Sequence, residues 1–251
     1  MRFVRKIWRL TAIWIWFLLI ALLAVPGLFR GRAGIRTNSR LAQWWAAGIA
    51  RIWHIRIRKE GDWSSFAGGM VISNHQSYLD ILVEGALFPI RFMPKAEIRH
   101  WPVLGWLLAL NRPIWINRNA RLESRKVNDE IRRSLEENLT LVAYAEGTTS
   151  DGGDLLPFKS TPFEMICRNG GAFTPVLLRY APTKDGYPTA WYGNMTLLPH
   201  VWHMLGEPEI TVTARLLPPV TALEGEDRKA LAVRARTIMN DVYRSMKDEV
   251  E

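Results

Sequence analysis

The chain has 251 residues, of which 48% are hydrophobic and 23% charged, so global disorder is excluded. That length suits one substantial domain with a modest appendage. The net charge of +9 calls for a partner of negative sign, whether nucleic acid, an anionic membrane surface or a phosphorylated substrate. Cys167 is the single cysteine, which excludes an internal disulfide framework and any cysteine-based metal site.

Residues 10–29 carry no charge, and as a helix they would extend about 30 Å, enough to cross a hydrocarbon core. Arg2, Arg5, Lys6 and Arg9 precede this run, and Arg30, Arg32, Arg36 and Arg40 follow it. Positive charge on both flanks gives no orientation. The run ends in Val25-Pro26-Gly27-Leu28-Phe29, a poor match to the small-residue cleavage site of a secretory signal, so it reads as a retained segment. Residues 41–57 form a second, amphipathic segment, with Trp44, Trp45 and Trp53 among Arg40, Arg51 and Arg56. A spanning helix fits this pattern. So does a bent pair of helices seated in one leaflet and turning near Pro26-Gly27, which is the favoured design. Residues 1–58 are therefore expected to anchor the chain in a membrane and residues 59–251 to form a globular domain.

Beyond the anchor, strands and helices alternate. Strands are predicted at 69–73, 90–94, 114–116, 140–145, 173–179 and 210–217, and helices at 78–87, 101–110, 121–138, 162–169 and 226–247. The expected fold class is α/β, a central, mostly β-sheet core surrounded by helices.

The most informative stretch is Ser73-Asn74-His75-Gln76-Ser77-Tyr78-Leu79-Asp80, at a strand-to-helix junction. An aspartate five positions after a histidine can fold back onto one ring nitrogen. The contact fixes the tautomer and leaves the other nitrogen to accept a proton. A helix N-terminus nearby favours the neutral imidazole that a general base requires. By itself a His-Asp pair at this spacing is more often structural.

The stretch from Asn74 to Asp80 resembles the His-x4-Asp motif of the glycerolipid acyltransferases, whose best-known members acylate lysophosphatidic acid. The resemblance implies that His75 deprotonates the acceptor hydroxyl and that Asp80 orients it, with the acyl group passing directly from thioester to acceptor. Further motifs follow in family order. Asn74 would belong to the substrate site. Lys95-Ala96-Glu97-Ile98 and the later Gly105-Trp106 are similar to the family's lysine segment. Pro113 to Arg118 resembles the second motif, so Arg118 is implied as an anion contact, its planar fork suiting phosphate or carboxylate. Glu146-Gly147-Thr148-Thr149-Ser150 resembles the third, in which Glu146 would hold the acceptor or shape the loop. Lys159, after Phe158, and Pro175, between Thr174 and Val176, match the closing motifs.

Two departures bear on the acceptor. Thr149 stands where many lysophosphatidic-acid enzymes have arginine, and Asn117 where aspartate is common. The wording from Glu146 to Ser160 looks more like a branch that includes lyso-ornithine-lipid acyltransferases. The resemblance implies a lysolipid acceptor, either lysophosphatidic acid or a lyso-aminolipid. It also implies acyl-CoA or acyl-carrier protein as co-substrate, no further cofactor, and a place at the cytoplasmic face of the membrane.

Other classes fare worse. A hydrolase would need a nucleophile, and Ser73 and Ser77 lack a Gly-x-Ser-x-Gly turn. His54, His75, His100, His200 and His203 do not combine into a zinc spacing, so no metal is expected. A non-catalytic anionic-lipid binder rests on charge alone, and Lys126, Arg132 and Arg133 read as a solvated helix face rather than a nucleic-acid surface.

Overall fold

The computed structural model describes residues 1–100, 104–116, 123–168 and 171–248. Its core is a mixed sheet in the order β1 (Ile55–Glu60), β5 (Ile210–Leu216), β4 (Ala172–Tyr180), β2 (Met70–Ser73), β3 (Leu141–Tyr144). A short β6 (Val220–Thr221) pairs antiparallel with the start of β4. β2 runs parallel to both β3 and β4, Ser73 facing Tyr144 on one side and Val176 on the other. The carboxyl ends of three strands therefore open together.

Alternation along the strands sorts side chains onto two faces. Val71, Val176, Leu178, Ile210, Val212 and Ala214 pack on one side against Ile49 and Trp53 of α2 (Gly31–Trp53) and Leu79 and Val83 of α3 (Leu79–Leu87). Ile72, Leu141, Phe173 and Leu177 pack on the other against Leu231, Met239 and Tyr243 of α8 (Arg228–Asp248). Ile131 of α5 (Glu123–Glu136) and Ile166 of α6 (Glu164–Arg168) complete that second layer. The interleaved α/β core with helices around it is the expected class.

Where the elements differ from expectation, local chemistry explains it. The second amphipathic segment does not stay helical to residue 57. α2 stops at Trp53, His54 adopts a left-handed conformation (φ 61°), and the chain turns into β1. Alternating Ile55, Ile57 and charged neighbours is a strand period, masked in the sequence by the helical pattern before it. The expected boundary between residues 58 and 59 thus falls inside β1, which is paired along its length with β5. The strands expected at 90–94 and 114–116 reduce to single bridges, Ile90 with Thr140 and Lys95 with Ile116. Pro94 and Pro113 remove the amides a longer ladder needs. Helix 162–169 begins as a 3₁₀ turn, Thr161–Phe163, and becomes α6. Two further α-helices are described, α4 (Leu104–Leu110) and α7 (Leu197–Met204), the second carrying His200 and His203.

The N-terminal region is a helical hairpin of α1 (Arg2–Leu28) and α2. Pro26 is accommodated inside α1, and the turn falls at Phe29 and Arg30 rather than at Pro26-Gly27. The helices touch at glycines: a Cβ on Gly34 would lie 1.8 Å from the Gly27 carbonyl oxygen. Both ends of α1 are fastened to the same globular core. At one end Arg2 pairs with Glu207 (2.5 Å) and Asp185 (3.1 Å), and Arg9 donates to the carbonyls of Leu205 (3.0 Å) and Pro208 (3.1 Å). At the other, buried Asn38 donates to Ala24 O (3.2 Å) and Leu110 O (2.6 Å), and Arg112 donates to Gly31 O. Asp185, His203 and Glu207 are near enough to share an ion, but the Arg2 guanidinium lies among them, 2.7 Å from His203 Nε2.

Candidate active site

The site forms where β2 gives way to α3. Ser73 ends the strand, and residues 74–78 turn over its end before α3 begins at Leu79. Asp80, in the first helical turn, is fully buried, and its Oδ2 accepts from His75 Nδ1 (2.8 Å), Gln76 N (2.6 Å) and Ser77 N (2.9 Å). Its Oδ1 accepts from the Tyr180 hydroxyl (2.7 Å). Four donors thus converge on one carboxyl group, which accepts from each of them. Its place in the first turn of α3 sets it beside the positive end of the helix, where an acidic side chain is favoured.

His75 is the exposed partner, with 19% of its side chain accessible against 0% for Asp80. With Nδ1 donating to the carboxylate, Nε2 carries the lone pair. The imidazole stacks flat on Tyr144 at the end of β3, ring centres 4.0 Å apart and planes 12° from parallel. Its backbone is pinned as well. His75 N donates to Glu146 Oε1 (2.8 Å), and His75 O accepts from Ser150 N (2.9 Å). The His75 imidazole is fixed by a carboxylate, an aromatic face and two backbone bonds, which leaves little freedom in the ring.

Residues 54–179 match the family model described as "Acyltransferase". The chain is 35% identical over 217 residues to the lyso-ornithine lipid O-acyltransferase of Brucella abortus, covering 81% of this chain and 80% of that protein. The chain belongs to the acyltransferase family. The lyso-ornithine lipid O-acyltransferase of Pseudomonas aeruginosa is 32% identical over 202 residues, covering 79% of this chain and 76% of its own. The 1-acyl-sn-glycerol-3-phosphate acyltransferase of Neisseria gonorrhoeae is 33% identical over 166 residues, covering 65% of each. The crystal structure of the 1-acyl-sn-glycerophosphate acyltransferase PlsC from Thermotoga maritima shares the fold, with a TM-score of 0.65 over 98% of both chains at 18% identity.

The remaining expected residues of this acyltransferase divide in two. Some are frame rather than contact. Asn74 is 1% exposed and uses both ends of its amide on the Leu178 backbone, donating to O at 2.9 Å and accepting from N at 2.8 Å. Glu146, 2% exposed, accepts from His75 N and from Leu156 N (2.9 Å), so it ties the base to the following loop. Of the two roles expected for Glu146, its bonds are those of a loop-shaping residue. Pro175 is buried in β4 opposite Ile72, and its carbonyl accepts from Leu217 N (3.0 Å).

Others are free to meet a ligand. Gly147, at φ 72°, makes the turn that exposes Thr148 and half-exposes Thr149. Lys159 is exposed beside it, its Cγ 3.3 Å from where a Gly147 Cβ would stand. Lys95 is exposed at the Ile116 bridge. Arg118 and Asn117 lie outside the described residues.

Several neighbours carried no signal in the sequence. Gln76 donates from Nε2 to Leu178 O (2.7 Å) and to the Tyr243 hydroxyl (2.7 Å), and Trp191 N donates to Gln76 O (2.8 Å). Tyr144 and Tyr180 come from strands far along the chain, and only the sheet register brings them to His75 and Asp80. Tyr78 meets His200 Nδ1 (3.1 Å), whose Nε2 lies 3.0 Å from Pro188 O. The carbonyl can only accept, so His200 donates from Nε2 and accepts a hydrogen bond from the Tyr78 hydroxyl at Nδ1; burial lowers its basicity.

Proposed function

We propose that this acyltransferase moves a fatty acyl group from a thioester, carried by coenzyme A or an acyl-carrier protein, to the hydroxyl of a lysolipid, with His75 as general base. His75 Nε2 takes the acceptor's hydroxyl proton as that oxygen attacks the thioester carbonyl carbon. The tetrahedral intermediate collapses with cleavage of the carbon–sulfur bond, and the thiolate recovers the proton from His75. Asp80 balances the charge on the transient imidazolium and holds the productive tautomer. The single observation that carries this reading is the 2.8 Å contact between an accessible imidazole and a fully buried carboxylate.

Thr148, Thr149, Lys159, Lys95 and Arg118 are the residues proposed to receive the acceptor headgroup. A lyso-aminolipid acceptor is favoured over lysophosphatidic acid. Thr149 supplies a hydroxyl where a phosphate dianion would be met better by a guanidinium. Two relatives that cover 81% and 79% of this chain carry lyso-ornithine lipid in their names. Purified full-length enzyme offered a labelled acyl thioester and a panel of lysolipids should label lyso-ornithine lipid faster than lysophosphatidic acid. The opposite ranking overturns the acceptor, and no labelling of any lysolipid overturns the reaction.

The apolar hairpin supports membrane association, and a one-leaflet seat is the reading its attachments favour. α1 is long and apolar enough to cross a membrane. Yet both its ends bind one globular unit, so crossing would drag that unit into the bilayer. Laid flat, it turns Ile15, Leu18, Leu22 and Phe29, all exposed, toward acyl chains. The basic groove of about 490 Å³ lined by Arg32, Arg36, Arg40 and Trp44 would then sit at the headgroups of the cytoplasmic face.

A further inference from the structure

Behind the His75–Asp80 pair lies an acidic side chain for which the reaction has so far no use. Glu84 is one helical turn after Asp80, on the same inner face of α3, and it is 0% exposed. Neither of its oxygens makes a hydrogen bond of good geometry among the described residues, and the buried hydroxyls of Ser73 and Ser77 likewise make none. Its surroundings come from every element packed there. The Ser73 hydroxyl of β2 and the Tyr144 hydroxyl of β3 face the carboxyl, and Asp80 is its charged neighbour on α3. Tyr180 of β4 stands close by with its hydroxyl on Asp80. α2 packs on the same helix through uncharged residues, Gln43 donating to the Leu87 carbonyl and Ala46 lying against Gly85.

A carboxylate shut away from solvent, with only two hydroxyls facing it and a second carboxylate nearby, is among the costliest arrangements in a protein. As an acid, the same group carries no charge and has one proton to donate. Tyr144, whose hydroxyl faces it, is the ring on which His75 lies. We propose that Glu84 is held as an uncharged acid behind the catalytic pair, where it is a positioning residue that sets Tyr144 and, through the ring stack, the His75 imidazole. The inference rests on the assignment of His75 as the base. Burial, with Asp80 adding to it, pushes the Glu84 carboxyl up to about 8. Tyr144 and Tyr180 are pushed up by burial, well beyond that range. Raising the pH therefore ionises Glu84 before either tyrosine and places a second negative charge beside Asp80.

The test uses the full-length enzyme in detergent or lipid, with kcat and KM followed from pH 6 to 10 for the parent, Glu84→Gln and Glu84→Ala. The parent should lose kcat on the alkaline side with a midpoint near 8. Glu84→Ala should lower kcat at neutral pH by about tenfold with KM changed less than about twofold, the size of one lost hydrogen bond. Glu84→Gln should rescue that loss and abolish the alkaline fall. A difference infrared spectrum of parent against Glu84→Gln, taken at pH 6, should contain the carbonyl band of a protonated carboxylic acid. This last measurement involves no catalysis, so it stands whether or not His75 proves to be the base. The proposal is overturned if the band is missing, if Glu84→Gln is as slow as Glu84→Ala, or if its alkaline fall matches the parent's. Should Glu84→Ala fail to fold, the infrared band and the Glu84→Gln profile decide the matter alone.

Discussion

At the scale of single residues, the site is a set of buried groups whose chemistry is fixed by what surrounds them. The Tyr180 hydroxyl is the donor on Asp80 that does not come from residues 75–77. Tyr180→Phe leaves ring and packing in place and removes one charge-assisted bond, so kcat should fall by about tenfold, a loss on the order of 1.5 kcal/mol. A variant with parental kcat would mean that the other three donors hold Asp80 without it. Glu84 makes a second prediction, for stability. The folded chain holds its proton to about pH 8, while the unfolded chain releases it near the model-peptide value of 4.5. Between those values the folded state binds more protons, so stability is full below the lower pH and falls as pH rises through the window. Glu84→Gln should therefore raise the thermal midpoint relative to the parent more at pH 9 than at pH 5. An equal shift at both would show that Glu84 is ionised throughout.

At the scale of elements, the chain is read well where one signal governs and poorly where two overlap. The strand ending at Ser73 and the helix carrying Asp80 were legible because an apolar run, a polar turn and an apolar helix follow in order, with the His-Asp spacing inside them. β1 was not, because Ile55 and Ile57 continue the apolar rhythm of α2 and only the left-handed turn at His54 changes the period. The motif residues were legible as a set, whereas their division into frame and contact was not. Asn74 and Glu146 are polar letters in a motif, and nothing local says that backbone amides 104 and 71 positions away consume them. Tyr144, Tyr180 and Gln76 owe their roles to register, which a single sequence does not display. The helical hairpin is an element with its own test. Gly34→Leu would drive a side chain into the Gly27 carbonyl, where even a Cβ would stand 1.8 Å away. It should split the hairpin and release protein from membranes, with a loss of stability on the order of 1–3 kcal/mol. A fully membrane-bound, equally stable variant would show that the two helices can separate at no cost.

For the whole molecule, one sheet serves two surfaces. Its α2–α3 face carries the apolar hairpin, and the carboxyl ends of β2, β3 and β4 carry the base, the aromatic ring beneath it and the frame residues around it. Arg2, Arg5 and Arg9 hold α1 to residues 205–208, so the apolar helix is tied to the sheet-bearing core. The most direct test is a single-turnover assay with labelled acyl thioester and lysolipid, comparing the parent with His75→Ala and Asp80→Asn in equal membrane-bound amounts. Transfer should fall by about 10²–10⁴-fold in the histidine variant, and Asp80→Asn should slow the same step. Transfer at the parental rate in His75→Ala would contradict the assignment of the base and the mechanism built on it.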